Sequence, residues 1–530
     1  MATAASNTTQ QDQTSCKVFR RLDPAALTPD SIHRLVVGED TSLRVLTQTE
    51  ATVELGDPFA TMLLLRGTFP RTAGEVLAAF EQLTGTDDPP KGPMFFLVGD
   101  GSQIPVTPET VDLARNMRFL VTLGNGPEGA DVLFSSFQPE EGNVELMAWD
   151  RATGGFNYYQ TVGESSAWVF AGNSRHALVE PSEGEGPFES HPSGNFIMKE
   201  LRSPWINWHS PAAPIMPSAF SDDDPLRNHP WVAGKEPSGA ITLETSVARP
   251  GIERWTRARF AAIVANGGQI NRPERIIRQI LTSPAINLIS SHNVSANAAS
   301  SDTVELPQTF FVDSSLTDIA GLAPPPPFAV PGEIYTQSLQ TFDVKLTDGA
   351  KFVQPGDTHF AFVVPERAFE DQAVLAEAAR VGLVTLRLAA CLLMVDFPNP
   401  IFSTRRRGLL AHVPSSATLA DGAGAFSDAF ADAIVAAATE PGTPERDFAD
   451  RWTLKDGWKE SFDAELAAYF TAVTDRLTTQ AGFDDYFRLA ESRRDRVRTM
   501  PIAESPLLFA STNIPPTPRT MTANGTVQEG

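Results

Sequence analysis

The clearest pattern in the chain is the alternation of apolar and polar residues between Arg118 and Gly172. Successive side chains of a strand point to opposite faces of a sheet, so this alternation indicates strands. Short glycine-rich turns separate the segments and favour direct pairing of neighbouring strands. We therefore expect an antiparallel meander built from Phe119–Leu123, Val132–Phe137, Val144–Trp149, Phe156–Val162 and Ala167–Phe170.

Apolar residues at helical spacing predict a helix over Ala73–Leu83. The run Arg367–Asp396 is apolar nearly all round in its second half, which predicts one long helix buried on most of its faces. A further helical region begins at Thr443-Pro444. Its apolar stripe consists of Phe462, Leu466, Phe470, Val473 and Leu477. Together the meander and the helices predict an α+β fold in which antiparallel β units pack with long buried helices.

Proline and glycine mark the predicted breaks. The run Pro324–Pro327 must be extended, because each proline fixes its own φ and restricts the residue before it, so we expect a stiff spacer at a domain boundary. After it, Ser338–Leu346 and Thr358–Val364 alternate on either side of an Asp348-Gly349 turn signal. This pattern predicts a second β unit in the form of a hairpin.

The length of 530 residues predicts two to four packing units, because single cores stop growing near about 250–300 residues. The predicted segments are a disordered leader (1–17), a mixed α/β part (18–117), the sheet with a loop segment rich in Trp and His (118–260), a helical part (261–322), the proline-rich spacer (323–331), the hairpin with the long buried helix (332–440), a helical C-terminal part (441–511) and a disordered tail (512–530).

Charge narrows the range of partners. The sequence has 42 Lys and Arg against 65 Asp and Glu, which leaves a net charge of −23. Such a surface repels phosphate backbones and anionic lipids, so we expect neither nucleic acid nor a membrane as partner, and a small molecule instead. The run Val381–Phe397 is too short for the ~20 residues of a membrane span. We expect an acidic, soluble protein.

Cysteine use and the first residues predict the compartment. The two cysteines, Cys16 and Cys391, cannot form a disulfide framework or a cysteine zinc site, and we expect both to be free thiols. The stretch Met1–Gln13 has no basic patch and no apolar run, unlike a secretory signal. These features predict a cytoplasmic protein.

The sequence motifs of several large enzyme classes are missing. Gly124–Gly129 matches the G-x-G-x-x-G pattern, but Pro127 removes a backbone donor and a predicted strand follows, so we interpret it as a hairpin turn. The chain contains no G-x-S-x-G, H-E-x-x-H, P-loop or EF-hand pattern. The sequence therefore does not favour a serine hydrolase, a zincin, an NTPase or a calcium sensor.

The segment 181–250 is dense in Pro, Gly, Trp and His and carries the candidate chemistry. Imidazoles and carboxylates are common metal ligands and proton shuttles, which predicts an enzyme of unknown reaction. The candidate catalytic residues are His191, Glu200 and His209, and the candidate ligands of a divalent transition metal are His191, His209, His229 and Asp222. We expect Ser203-Pro204 to start a short helix through Trp205 and Trp208, two residues that would line the pocket.

Several alternatives stay open. The histidines and tryptophans of this segment are also typical of packing in a loop-rich region. A noncatalytic scaffold could use the same tryptophans as a recognition surface. Ser190-His191 is like the end of a C-x-x-C-H site without its thiols, which leaves only noncovalent haem. Finally, Arg405–Arg407, close to His412, is a candidate site for an anion.

Overall fold

A computed structural model describes residues 22–499 and 510–530, apart from 84–88, 100–106, 109–110, 112–116, 137–142, 196–204, 208–215, 290–300, 356–361 and shorter gaps of one to three residues. The chain divides into two compact units. Unit 1 comprises 1–202, 208–259 and 502–506, and unit 2 comprises 203–207, 260–501 and 507–530. Helices and several sheets occur together, which confirms the predicted α+β fold.

Unit 1 contains an eight-stranded sheet in the order β2-β1-β8-β7-β6-β5-β4-β3. Its strands are β1 His33–Arg34, β2 Arg44–Val45, β3 Met94–Gly99, β4 Met117–Leu123, β5 Val132–Ser136, β6 Glu145–Asp150, β7 Gly155–Val162 and β8 Ala167–Asn173. Strands β4 to β8 form the predicted antiparallel meander. Strand β3, which was not predicted, adds to β4 in antiparallel, and β1 adds to β8 in parallel. The predicted hairpin turn at Gly124–Gly129 is confirmed, because it joins the paired strands β4 and β5.

Apolar cores cover both faces of this sheet. Tyr158 belongs to a core with Trp149 and Trp255, whereas the next residue of β7, Tyr159, belongs to a core with Phe59 on the other face. Adjacent strand residues point to opposite faces, and here both directions lead to buried surroundings. Every residue of β7 is therefore buried, including the polar ones.

Helices pack beside this sheet in unit 1. The helix predicted at Ala73–Leu83 is confirmed as Ala73–Glu81, with Thr72 as its N-cap. The helices that begin in unit 1 are α1 Gln48–Glu54, α2 Pro58–Met62, α3 Ala73–Glu81, α4 Pro225–Asn228, α5 Ala240–Leu243 and α6 Arg249–Ala265.

Unit 2 is mainly helical and has small sheets. Its helices are α7 Glu274–Leu281, α8 Ser315–Asp318, α9 Gly332–Thr341, α10 Phe369–Arg380, α11 Leu386–Met394, α12 Thr404–Gly408, α13 Ala425–Ala437, α14 Pro444–Trp452, α15 Trp458–Leu477 and α16 Gln480–Arg498. Its strands are β9 Trp205–Asn207, β10 Gln269–Ile270, β11 Ala285–Ile289, β12 Thr303–Leu306, β13 Phe328–Pro331, β14 Lys345–Asp348, β15 Phe352–Pro355, β16 Val364–Arg367, β17 Ala417–Thr418, β18 Arg519–Met521 and β19 Val527–Glu529.

The single long helix predicted over Arg367–Asp396 is wrong, because two helices occupy this region. Helix α10 ends at Arg380, Gly382 takes a left-handed conformation with φ 79°, and Thr385 caps the start of α11. A glycine with positive φ terminates a helix at little steric cost. The predicted burial is confirmed, since α11 is buried from Leu388 to Met394.

The predicted helix through Trp205 is also wrong. Trp205–Asn207 form strand β9, which pairs in parallel with Ala285–Asn287 of β11. Strand β16 flanks β11 on its other side, so residues 205–207 complete a three-stranded sheet. Inter-strand hydrogen bonds to a distant segment thus override the local capping signal of Ser203-Pro204.

Three predicted segments differ from the structure. The segment 261–322 is not purely helical, because it contains β10, β11 and β12. The spacer 323–331 lies inside unit 2, where Gln308 Nε2 donates to the carbonyls of Pro325 and Pro326 and Phe328–Pro331 pair with β12. The hairpin predicted after it is shifted along the chain: β14 pairs with β15, whereas Ser338–Thr341 of the predicted first strand belong to helix α9. Most of the predicted second strand, Thr358–Val364, lies outside the described residues.

The prediction of a disordered tail over 512–530 is wrong, because strands β18 and β19 pair there. Met521 is buried, and Asn399 exchanges two hydrogen bonds with its backbone. A sequence poor in apolar residues can still be ordered when its backbone groups find partners elsewhere in the chain. The predicted leader, 1–17, lies outside the described residues.

Within the part of the chain that the structure describes, no helix combines the length and the apolar composition that a membrane crossing requires.

Candidate functional site

His191 is buried on one face of the sheet in unit 1. Its ring lies 5.1 Å from that of Tyr158, centroid to centroid. Its Nδ1 is 3.0 Å from the carbonyl oxygen of Asn195, which also accepts a hydrogen bond of 2.9 Å from the Tyr158 hydroxyl. His191 thus takes part in the packing between the loop and β7.

His229 lies against the other face of the same sheet. Its ring is 4.6 Å from that of Phe119, and its Nδ1 accepts a hydrogen bond of 3.1 Å from the backbone N–H of Trp231. Phe119 belongs to the core with Tyr159, not to the core with Tyr158. Strands β4 and β7 are three positions apart in the sheet, roughly 14 Å at normal strand spacing.

The structure therefore does not bring His191 and His229 together, since they lie on opposite faces and beside different strands. Asp222 is 92% exposed at its side chain and forms an ion pair of 2.6 Å with Arg227. Glu200, Trp208 and His209 lie outside the described residues. Among the residues that are described, no group of three His, Cys, Asp or Glu side chains is arranged to hold a metal ion.

The tryptophans described near this segment are core residues. Trp231 and Trp255 are both buried, and the Trp255 indole N–H donates 2.8 Å to the carbonyl oxygen of Ser193. Trp205 is described only as part of the backbone of β9. A recognition surface would therefore need tryptophans other than Trp231 and Trp255.

Two histidines within the described residues pair with a carboxylate. His176 Nε2 lies 3.2 Å from Glu39, but its Nδ1 accepts the backbone N–H of Asn173 at 3.0 Å, so both ring nitrogens are occupied. Burial lowers the pKa of His176 and outweighs the opposing attraction of Glu39. This imidazole is a structural link with no nitrogen left for a substrate.

His412 forms the second pair, with its Nε2 3.0 Å from Oε1 of Glu445. The position of His412 follows from the local sequence. Ser403 caps α12 by accepting the N–H of Arg406 at 3.1 Å, and a 3-10 turn, Leu409–His412, continues the helix. The ring is therefore held at the end of a short capped helical segment.

One face of this segment, formed by Arg405, Gly408 and His412, lies against the start of α14. Positions 405, 408 and 412 lie three and four residues apart and share one helical face. Arg405 donates 2.8 Å to the carbonyl oxygen of Gly442, and a Cβ added at Gly408 would lie in ordinary contact, 3.8 Å, with the ring of Pro444. The same face carries His412 to Glu445, one residue beyond Pro444.

Glu445 is in the first turn of α14, where Thr443 is the N-cap. Burial raises the pKa of Glu445. Hydrogen bonds from His412 and from the Glu445 backbone, together with the charge of His412, lower it by more, so the pKa is lowered overall. An ionised carboxylate only accepts hydrogen bonds, so the proton of a neutral His412 ring is on Nε2. Glu445 therefore fixes the tautomer.

The other nitrogen of His412 is open. Its Nδ1 makes no hydrogen bond with any described residue and is not one of the buried polar atoms without a partner. The ring thus presents an unprotonated nitrogen at the surface while a carboxylate holds the opposite nitrogen. This arrangement suits proton transfer, because the carboxylate stabilises the imidazolium that forms.

The three arginines before His412, Arg405–Arg407, have different surroundings. Arg406 is buried, and its guanidinium donates to the carbonyl oxygens of Leu281, Leu393, Val395, Asn399 and Pro400. Arg405 contacts Gly442 and Asp447. Arg407 is exposed. The triplet as a whole is therefore not one anion site.

Comparison with known proteins gives no relative: no family model matches this chain, and no curated protein or solved structure matches it. The candidate site therefore rests on the geometry of its own residues.

Proposed function

We propose that the chain is an enzyme in which His412 transfers a proton and Glu445 orients the imidazole. The observation that carries the proposal is the 3.0 Å pair between His412 Nε2 and Glu445, together with an Nδ1 that has no partner among the described residues. A paired imidazole with one open nitrogen is the usual form of a general base.

The proposed chemistry uses three groups. Nδ1 of His412 takes a proton from a substrate hydroxyl or from an attacking water, and returns it to the leaving group. Glu445 stays ionised and stabilises the imidazolium, since its own pKa is lowered. Arg405 holds the first turn of α14 through Gly442, which keeps Glu445 in position.

This proposal moves the candidate chemistry away from the segment 181–260. His191 and His229 face different cores, so they do not support a shared metal, and the packing of His191 against Tyr158 gives no support to bound haem. A small-molecule substrate remains part of the proposal, because an open imidazole at the surface is accessible to one.

A cytosolic location is proposed as well. Cys391 is a free, buried thiol, and burial raises the pKa of this thiol to about 12. Free thiols are usual in a reducing compartment. A thiol with so high a pKa is an inert core residue, so it supports the location and carries no chemistry.

The test is a screen of chromogenic esters, phosphoesters and glycosides with the wild-type protein, followed by the His412→Gln and Glu445→Gln variants. We expect turnover of at least one substrate class and a loss of about 10²–10⁴-fold in kcat for His412→Gln, the usual contribution of a general base. Glu445→Gln should lose less, because the amide still holds the ring without stabilising its charge.

His176→Gln is the matched control. It removes an imidazole that, among the described residues, also pairs with a carboxylate, but both nitrogens of that ring are occupied, so kcat should equal that of the wild type. Absence of turnover on every class, or turnover that survives His412→Gln, would contradict the proposal.

A further inference from the structure

Strand β1 is held to β8 by a short ladder. The two strands pair over two positions, His33 with Val169 and Arg34 with Phe170. The backbone N–H of Leu35 adds a hydrogen bond of 3.0 Å to the Phe170 carbonyl oxygen. On its other side, β8 pairs with β7 over six positions. So short a ladder leaves a large share of the attachment to the side chains beside it.

His33 is one of these side chains. Its ring is buried, its Nε2 accepts the backbone N–H of Thr28 at 3.1 Å, and its Nδ1 lies 3.3 Å from the Trp168 carbonyl oxygen. Because a backbone N–H only donates and a carbonyl oxygen only accepts, the single proton of the neutral ring is on Nδ1. The imidazole therefore links the segment before β1 to β8.

His176, just beyond the end of β8, is the second. Its Nδ1 accepts the backbone N–H of Asn173 at 3.0 Å, and its Nε2 lies 3.2 Å from a carboxylate oxygen of Glu39. The other oxygen of Glu39 accepts a hydrogen bond of 2.6 Å from the Arg34 guanidinium. His176 therefore links the end of β8, through Glu39, to β1.

In both rings the nitrogen that would take a second proton already accepts a backbone N–H. Protonation of His33 would turn Nε2 into a donor that faces the N–H of Thr28. Protonation of His176 would turn Nδ1 into a donor that faces the N–H of Asn173. In each case a hydrogen bond becomes a contact between two donors, so the backbone must move away from the ring.

Among the described residues, no carboxylate forms an ion pair with His33. Strand β8 carries no charged residue, and the charged residues of the neighbouring segments are each paired with another charge; these are Asp30, Arg34 and Arg44. Burial lowers the pKa of His33, against its hydrogen bonds to the carbonyl groups of Trp168 and Ser31. The attached state therefore favours the neutral ring.

Several charges surround His176, and they oppose one another. Burial has the largest effect and lowers the pKa of His176, and the charge of Arg34 lowers it too. The carboxylates of Glu39, Asp40 and Glu54 raise it, but all three also form ion pairs with Arg34. The pKa is lowered overall, so this ring is also favoured in its neutral form.

We propose that His33 and His176 form a latch that releases residues 28–40 from β8 in mild acid. A base that is neutral in the attached state stabilises that state fully above the ordinary histidine pKa of about 6.5, and this stabilisation is lost as pH falls toward the lowered value. Strands β4 to β8 keep their pairings with one another, so the release is local. It uncovers the backbone of β8 at Val169 and Phe170, an edge that can pair with another strand.

The size of the response follows from the two titrations. Between about pH 7.5 and about pH 5.5, each histidine makes release at most about tenfold more favourable, because the released ring is protonated and the attached ring is not. The two histidines together give at most about 100-fold. This response does not depend on the proposed role of His412.

The test is hydrogen exchange of the full chain, read by mass spectrometry at about pH 7.5 and about pH 5.5 and corrected for the intrinsic effect of pH on exchange. We expect the protection of the peptide that contains the Leu35 N–H to fall by about tenfold to 100-fold in acid. The Trp149 N–H, which donates 2.8 Å to the Asp131 carbonyl oxygen within the meander, should keep its protection.

His33→Gln and His176→Asn each remove one titrating ring and keep an amide oxygen that can accept a backbone N–H. Each should reduce the acid response to about tenfold or less, and the double variant should show no response. His412→Gln is the matched control, because it removes an imidazole of unit 2 and should leave the acid response of β1 unchanged.

Equal protection of the Leu35 peptide at both pH values would overturn the inference. An equal loss at Trp149 would overturn it as well, because the whole unit would then unfold in acid. If His33→Gln does not fold, His176→Asn decides alone. An acid response as large in His176→Asn as in the wild type contradicts the latch.

Discussion

Tyr159 donates its hydroxyl hydrogen to Oδ2 of Asp57 over 2.5 Å, although 102 positions separate the two residues. The same oxygen accepts from Asn157 Nδ2 at 2.8 Å, and Oδ1 accepts the N–H of Ala60 at 3.0 Å. Asp57 thus caps α2 and at the same time binds two side chains of β7. One buried carboxyl group fastens the helix to the sheet.

Tyr159→Phe should lower the free energy of unfolding by about 1–3 kcal/mol, because the buried carboxyl group loses one of its donors. Tyr158→Phe is the matched control, since it removes an equally buried hydroxyl from the next residue, whose partner is the Asn195 carbonyl. Urea unfolding should show the larger loss for Tyr159→Phe. Equal losses would mean that Asp57 is not the stronger acceptor.

Asp57 should make stability fall as pH rises. Burial is the largest influence and raises the pKa of Asp57 against the hydrogen bonds from Asn157 and Tyr159. A group with a raised folded-state pKa stabilises below its ordinary value, and this contribution is lost as pH rises through the folded-state pKa. The unfolding free energy of wild type minus that of Asp57→Asn should therefore decrease from about pH 4 upward. A difference that grows with pH would contradict this.

The contribution of Glu445 to stability should change with pH in the opposite direction to that of Asp57. Its pKa is lowered, so its contribution is present above the ordinary glutamate value and is lost as pH falls through the folded-state pKa. The difference in unfolding free energy between wild type and Glu445→Gln should vanish on acidification. A difference that persists unchanged below about pH 3 would show that the carboxylate charge is not involved.

Arg406→Met should be severely destabilising, by more than about 3 kcal/mol, because it leaves several buried carbonyl groups without donors. Arg405→Met is the control, since this neighbouring guanidinium is half-exposed, donates to a single carbonyl group, that of Gly442, and has a long ion pair of 3.7 Å with Asp447. Its cost should stay below about 1 kcal/mol. Thermal unfolding of the two variants measures the contrast, and similar melting temperatures would refute it.

Met521→Ala should lower the melting temperature, because this buried side chain belongs to the C-terminal hairpin and leaves a cavity that costs about 2–5 kcal/mol. Gln528→Ala changes an exposed residue of the paired strand and serves as the control. Differential scanning fluorimetry compares them. If Met521→Ala melts like Gln528→Ala, the hairpin does not contribute to the stability of unit 2.

Local patterns predicted the meander well, because alternation and short turns determine both the strands and their neighbours. They could not predict strand β1, since two residues carry no periodicity and their partners in β8 are more than 130 positions away. The long helix failed at Gly382, where one glycine with positive φ ends α10 inside an apolar run. The helix predicted through Trp205 was wrong for a different reason, because pairing of Trp205–Asn207 with the distant strand β11 outweighed the local capping signal.

The candidate site shows the same division. The segment 181–250 is rich in His and Trp, and for this reason the sequence predicted a site there. A high local content of such residues does not determine which way their side chains point, and His191 and His229 face different cores. The pair of His412 and Glu445 spans 33 positions and leaves no motif. The one available signal was the spacing of Arg405, Gly408 and His412, which predicts a shared face without revealing what it meets.

The parallel pairing of β1 with β8 has a consequence for biosynthesis. His33 and Arg34 pair on one side with the nearby strand β2, but their partners on the other side are Val169 and Phe170 of β8. Roughly the first 170 residues must therefore leave the ribosome before β1 can join the rest of the sheet. Until then the apolar residues around β1, such as Val36, stay accessible to other chains. Closure of such a distant contact is slow. The strand that is synthesised first is thus the last to be buried in the sheet. A nascent chain stalled before residue 167 would be prone to aggregation.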